Sequence, residues 1–109
     1  MKLIVAVVQD KDAPKCLGEL VRRGFRATRL ASTGGFLKEG NTTLLLGVDD
    51  EQVDTVLEVI GATCRAREQL VTPLTASGGA VDAYMPYPVE VLVGGATVFV
   101  LEVVKCVKT

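Results

Sequence analysis

At 109 residues the chain has room for one domain around a single core, since such cores run to roughly 100–200 residues. Twelve basic and thirteen acidic residues leave a net charge of −1, with neither sign gathered into a long run, which excludes the basic stripe needed to track a nucleic-acid polymer. The lack of histidine and of any C-x-x-C spacing among Cys16, Cys64 and Cys106 excludes the usual zinc, haem and histidine-based catalytic designs, and all three cysteines are expected to be small, buried or half-buried hydrophobes.

Leu3 to Val8 is an unbroken apolar run rich in β-branched residues, the pattern of a strand covered on both faces. The run is too short for a secretory leader or a membrane span, so the expected location is the cytosol, with no membrane contact. Asp12 is an N-cap candidate, Pro14 suits a first turn, and Ala13, Cys16, Leu17, Leu20 and Val21 hold helical spacing until Gly24. The first helix is predicted over 12–23.

Phe25 to Ser32 and Asn41 to Val48 read as strands of a hairpin whose long tip is Thr33-Gly34-Gly35-Phe36-Leu37-Lys38-Glu39-Gly40. Asp49 and Asp50 then cap a second helix, predicted over 50–63, with Val53, Val56, Leu57 and Ile60 on its apolar face. Residues 65–88 keep no period and contain Pro73, Gly78, Gly79, Pro86 and Pro88, which predicts a long ordered loop with at most short strands, of a length that in compact domains is usually functional or disordered. Val89 to Val93 and Ala96 to Val104 are β-rich and joined by Gly94-Gly95, a common hairpin connection.

The order β-α-β-β-α-loop-β-β predicts an α+β domain, ferredoxin-like with an extended C-terminal hairpin, in which two helices cover one face of an antiparallel sheet. The strands are apolar in both registers, so the other face needs a cover, and symmetric copies of the chain supply one. Oligomerisation is the expectation.

Alternation places Arg26 and Thr28 on one face of the second strand and Asn41, Thr43 and Gly47 on one face of the third. Arg suits a phosphate, Thr donates a hydroxyl, and Asn carries the donor and acceptor that match an adenine edge. Gly34-Gly35 permits close backbone approach to an anion, and Phe36 beside it suits a stacked base. A solvated polar edge and an ordinary hairpin tip account for the same residues. Neither G-x-G-x-x-G nor G-x-x-x-x-G-K-[ST] is present.

The blocks Phe25-Arg26-Ala27-Thr28, Thr33-Gly34-Gly35-Phe36-Leu37 and Gly40-Asn41-Thr42-Thr43 resemble those of the PII-like cyclic di-AMP receptors. Val8-Gln9-Asp10, Arg67-Glu68-Gln69-Leu70-Val71, Pro86-Tyr87-Pro88-Val89-Glu90-Val91 and Val93-Gly94-Gly95-Ala96-Thr97-Val98-Phe99-Val100 extend the likeness along the chain. The resemblance implies a non-enzymatic homotrimer that takes cyclic di-AMP in inter-subunit pockets, needs no cofactor and signals to a downstream protein that the sequence does not identify. It implies Arg26, Ala27, Thr28, Gly35, Phe36, Leu37, Asn41 and Gly47 as ligand-binding residues: Arg26 and Thr28 on phosphate or ribose, Phe36 and Leu37 around an adenine, Asn41 on its edge, and Gly35 and Gly47 through backbone. The tail Val104-Lys105-Cys106-Val107-Lys108-Thr109 lacks the Gln and aromatic residues of the family pattern.

The alternative is a nitrogen-regulatory PII protein binding ATP or another adenine nucleotide, whose Gly-Lys-rich nucleotide loop has no counterpart here. A metal-linked trimer of the CutA type is disfavoured by the lack of histidine, and an enzyme by the lack of a paired nucleophile and base.

Overall fold

A computed structural model describes residues 1–30, 40–71 and 89–109. The elements are β1 (Lys2–Gln9), α1 (Ala13–Arg22), β2 (Thr28–Leu30), β3 (Asn41–Val48), a 3-10 turn (Asp50–Gln52), α2 (Val53–Cys64), β4 (Arg67–Val71), β5 (Val89–Val93) and β6 (Ala96–Glu102). Four strands form an antiparallel sheet in the order β2-β3-β1-β6, and β4 pairs with β5 as a separate antiparallel arm. With two helices packed on one face, this α+β arrangement is consistent with a ferredoxin-like fold.

The core follows from strand alternation. Ile4, Ala6 and Val8 on β1 and Leu44, Leu46 and Val48 on β3 point to the helical face and are buried against Ala13, Cys16 and Leu20 of α1 and Val56, Val59, Ile60 and Cys64 of α2. Two expected helix positions do not join them. Val21 of α1 is 65% exposed, and Leu57 of α2 is 36% exposed because α2 buries Val56, Val59, Ile60 and Cys64, one position round from the stripe read in the sequence.

Helix ends show how local sequence sets the path. Gly24 N–H donates to Val21 O and Phe25 N–H to Leu20 O, both at 2.9 Å, so the glycine stop draws Phe25 back onto the core. Phe25 is thus spent on ending α1, and within the described residues the second strand covers only 28–30 of the predicted 25–32. At the second helix Asp49 and Gln52 form a reciprocal capping box, with Asp49 N–H donating to Gln52 Oε1 at 2.9 Å. Asp49→Ala is expected to lower stability by about 1 kcal/mol in urea unfolding; an unchanged midpoint would show the box to be dispensable.

Two expectations are corrected. Gly94-Gly95 does not join a hairpin: β5 pairs with β4 and β6 with β1, so the two glycines, at φ +80 and +92, turn the chain from the arm into the main sheet. The partner of β5 is β4 at 67–71, one of the short strands that the expectation for 65–88 allowed; residues 72–88 of that segment lie outside the described residues. Cys106 is exposed, while Cys16 and Cys64 are buried. The neighbouring Cys16 thiol, with burial, pushes the Cys64 thiol up.

Candidate nucleotide-binding surface

Residues directly opposite in antiparallel strands point the same way, so the register defines rows on the face the helices leave open. One row is Thr28, Leu45, Val5 and Phe99; the next toward the chain start is Gly47, Leu3 and Leu101; on the other side come Leu30, Thr43, Val7 and Thr97, and then Asn41 with Gln9. Phe99 is 55% and Leu101 47% exposed, and Leu3, Val5, Val7 and Leu45 are half-buried with no second layer over them among the described residues. The face is apolar at its centre and grades to amides and hydroxyls at the Gln9 end.

An open cavity of about 280 Å³ lies at that polar end, lined by Val7, Val8, Gln9, Asn41, Gly94, Gly95, Ala96 and Thr97. Asn41 is held there by its surroundings: Asp10 N–H donates to Gly40 O at 2.9 Å, and the buried Thr42 hydroxyl donates to Asp10 Oδ1 at 2.5 Å. The glycine wall is held as firmly. Gly94 N–H donates to Gln9 Oε1 at 2.7 Å, and Gly95 N–H donates to the carbonyl of Cys64 at the end of α2.

Behind this wall stands an ion pair that sequence separation concealed. Asp12 caps α1 with its backbone, not its side chain; the carboxylate, 6% exposed, instead accepts from Arg67 Nη2 at 2.9 Å and Nη1 at 3.4 Å. The pair holds the Arg67 guanidinium above its ordinary pKa and ties the first residue of β4 to the start of α1. Arg67 Nη1 also donates to Arg65 O at 3.1 Å. The β4–β5 arm is therefore rooted at the cavity, through Arg67 on one strand and Gly94 beyond the other.

The residues expected in the site fall into separate groups. Thr28, Asn41 and Gly47 do share the open face, as alternation requires. Asn41 and Gly47, however, sit at opposite ends of β3, about 20 Å apart at strand rise. Thr28 pairs with Leu45, two residues from Gly47, and the exposed Arg26 lies just before β2 on that same side. Arg26 and Thr28 thus keep company with Gly47, while Asn41 stands with Gln9, Gly94 and Thr97. Ala27 is packed against the core, leaving its backbone as the part open to a ligand. Gly35, Phe36 and Leu37 lie outside the described residues.

The sequence reading missed Gln9 and the Gly94-Gly95 wall as site residues. A polar residue ending an apolar strand and a double glycine were the available signals, but only the β1–β3 and β1–β6 registers bring them to Asn41. Among the described residues no cluster of three or more Cys, Asp or Glu could hold a metal ion, and no helix is long and apolar enough to cross a membrane.

Comparison with known proteins bears on what such a surface binds. The profile of a family described as cyclic-di-AMP receptor matches residues 1–109. The crystal structure of a protein from Pediococcus pentosaceus ATCC 25745, described as functionally unknown, superposes with a TM-score of 0.76 at 42% identity, covering 99% of this chain and 96% of that one.

Proposed function

The chain belongs to the cyclic-di-AMP receptor family, and we propose that it is a non-enzymatic signalling receptor that holds cyclic di-AMP between the subunits of a homotrimer. The observation that carries the reading is the family match along the whole chain. The surface supports it: one subunit offers a basic and hydroxylic group (Arg26, Thr28) and an amide group (Asn41, Gln9) about 20 Å apart, with an apolar sheet face between them. A ligand lodged between subunits can meet the two groups from different chains. Phosphates suit Arg26 and Thr28, adenine edges suit Asn41, and Gly35, Phe36, Leu37 and the backbones of Ala27 and Gly47 complete the enclosure. Occupancy is relayed through the arm rooted at the cavity to a downstream protein.

Calorimetry against cyclic di-AMP, cyclic di-GMP and ATP tests this directly. Cyclic di-AMP is expected to bind tightest, one per subunit; preference for ATP would favour the nitrogen-regulatory alternative. Arg26→Ala is expected to weaken cyclic di-AMP binding without unfolding the domain, by about 10- to 150-fold, the worth of a charge-assisted hydrogen bond. An unchanged Kd would remove Arg26 from the site. Asn41→Ala should also weaken binding and lower the preference for adenine over guanine, and unaltered selectivity would take the base edge away from it.

A further inference from the structure

Gln9 ends β1 opposite Asn41 in the β1–β3 register and lines the same cavity, yet its side chain is committed to the arm. Its Oε1 accepts from Gly94 N–H at 2.7 Å. A backbone N–H can only donate, so the amide orientation is settled chemically: oxygen on Gly94, and Nε2 with two donors turned away from it. Among the described residues Nε2 has no partner, and none of their buried side-chain nitrogens or oxygens goes without one. The donors are therefore open to solvent, on a side chain that lines the cavity.

From this geometry we propose that Gln9 is a ligand-contacting residue that joins site to arm, its Nε2 donating to an acceptor atom of cyclic di-AMP while its Oε1 holds Gly94 at the arm's root. The proposal rests on the receptor reading above. A hydrogen bond donated from one end of an amide polarises it and strengthens acceptance at the other. An occupied site thus grips Gly94 harder than an empty one. Gly94 is a suitable point to pull: Gly95 beside it is bound to the end of α2, and a Cβ at Gly94 would lie 2.5 Å from both Arg65 O and Arg67 Nη1, so the corner, the Arg67–Asp12 pair and the arm are packed as one unit.

Gln9→Glu separates the two ends, because a carboxylate still accepts from Gly94 but has no donor to offer at neutral pH. Cyclic di-AMP titrations of parent, Gln9→Glu and Gln9→Ala are run at about 0.1 M and about 0.5 M salt, with hydrogen exchange of the Gly94 amide measured alongside. Expected are binding weaker by about tenfold or more in both variants at both salts, Gly94 protection kept in empty Gln9→Glu and lost in Gln9→Ala, and a rise in parental Gly94 protection on binding. Parental affinity in Gln9→Glu overturns the proposal. So does a deficit that disappears at the higher salt, which marks charge repulsion at a distance and not a lost donor. Failure of the parent itself to bind cyclic di-AMP overturns the receptor reading and with it the ligand assigned to Gln9, whereas binding by the parent with an unaffected Gln9→Glu overturns the role of Gln9 alone.

Discussion

Gly94→Ala is expected to be among the most destabilising methyl additions available to this chain, lowering the free energy of unfolding by about 3 kcal/mol. Two costs combine. The residue sits at φ +80, where an L side chain costs roughly 1–2 kcal/mol, and its Cβ would meet Arg65 O and Arg67 Nη1 at 2.5 Å. The guanidinium can swing aside only by loosening its hold on the buried Asp12 carboxylate, and the backbone carbonyl cannot swing at all. Gly95→Ala provides the control: φ is +92, but the nearest atom to its Cβ is Ala66 Cβ at 3.7 Å, so only the conformational cost applies. Urea unfolding of both variants isolates the steric part. A Gly94→Ala midpoint equal to that of Gly95→Ala would show that the corner yields and that the arm is not rooted as described.

The same corner shows where sequence reasoning stops. Two β-rich runs around a double glycine carry the local signal of a hairpin, and both glycines do adopt positive φ. Local dihedrals do not say which strand each run pairs with, and here one pairs with β4 and the other with β1. Elements set by their own residues were legible: β1 from its apolar run, α1 from Pro14 and Gly24, the start of the second helical segment from Asp49 and Asp50. What depended on distant partners was not. Asp12 reads as a cap, yet its carboxylate belongs to a residue 55 positions away, and Cys16 and Cys64 meet only once both helices pack on the sheet.

The candidate site divides in the same manner. Arg26, Thr28, Asn41 and Gly47 stand out by residue type, and alternation placed Thr28, Asn41 and Gly47 on a common face. Their separation into two groups along β3 appears only when the register is known, since Thr28 could equally have faced any residue of the neighbouring strand. Gln9 was hidden for a related reason: its partner Gly94 is 85 residues distant.

The apolar centre of the open face leads to the other large expected effect, that Phe99→Asp converts a trimer into monomers and abolishes cyclic di-AMP binding. Phe99 stands in the row with Val5, Leu45 and Thr28, more than half exposed on one subunit, on a face whose neighbours are Leu3, Val7 and Leu101. If three copies cover that face, an aspartate there is buried without a cation, at a cost of several kcal/mol per subunit, repeated three times by symmetry. In a lone subunit the same carboxylate stays hydrated, so the domain itself should fold and unfold almost as the parent does. Val21→Asp serves as control, because Val21 is 65% exposed on a helix that packs against the sheet's opposite face, and it should leave assembly intact. Light scattering at micromolar concentration is expected to give three times the subunit mass for the parent and Val21→Asp, and the subunit mass for Phe99→Asp. A monomeric parent, or a Phe99→Asp variant that remains trimeric, removes the open face from the interface. Calorimetry on the same samples then bears on the ligand: Arg26, Thr28, Gln9 and Asn41 are all present in Phe99→Asp, so a monomer that binds cyclic di-AMP with parental affinity would show that one subunit holds the whole site, and loss of binding is the result expected where the two polar groups act from different chains.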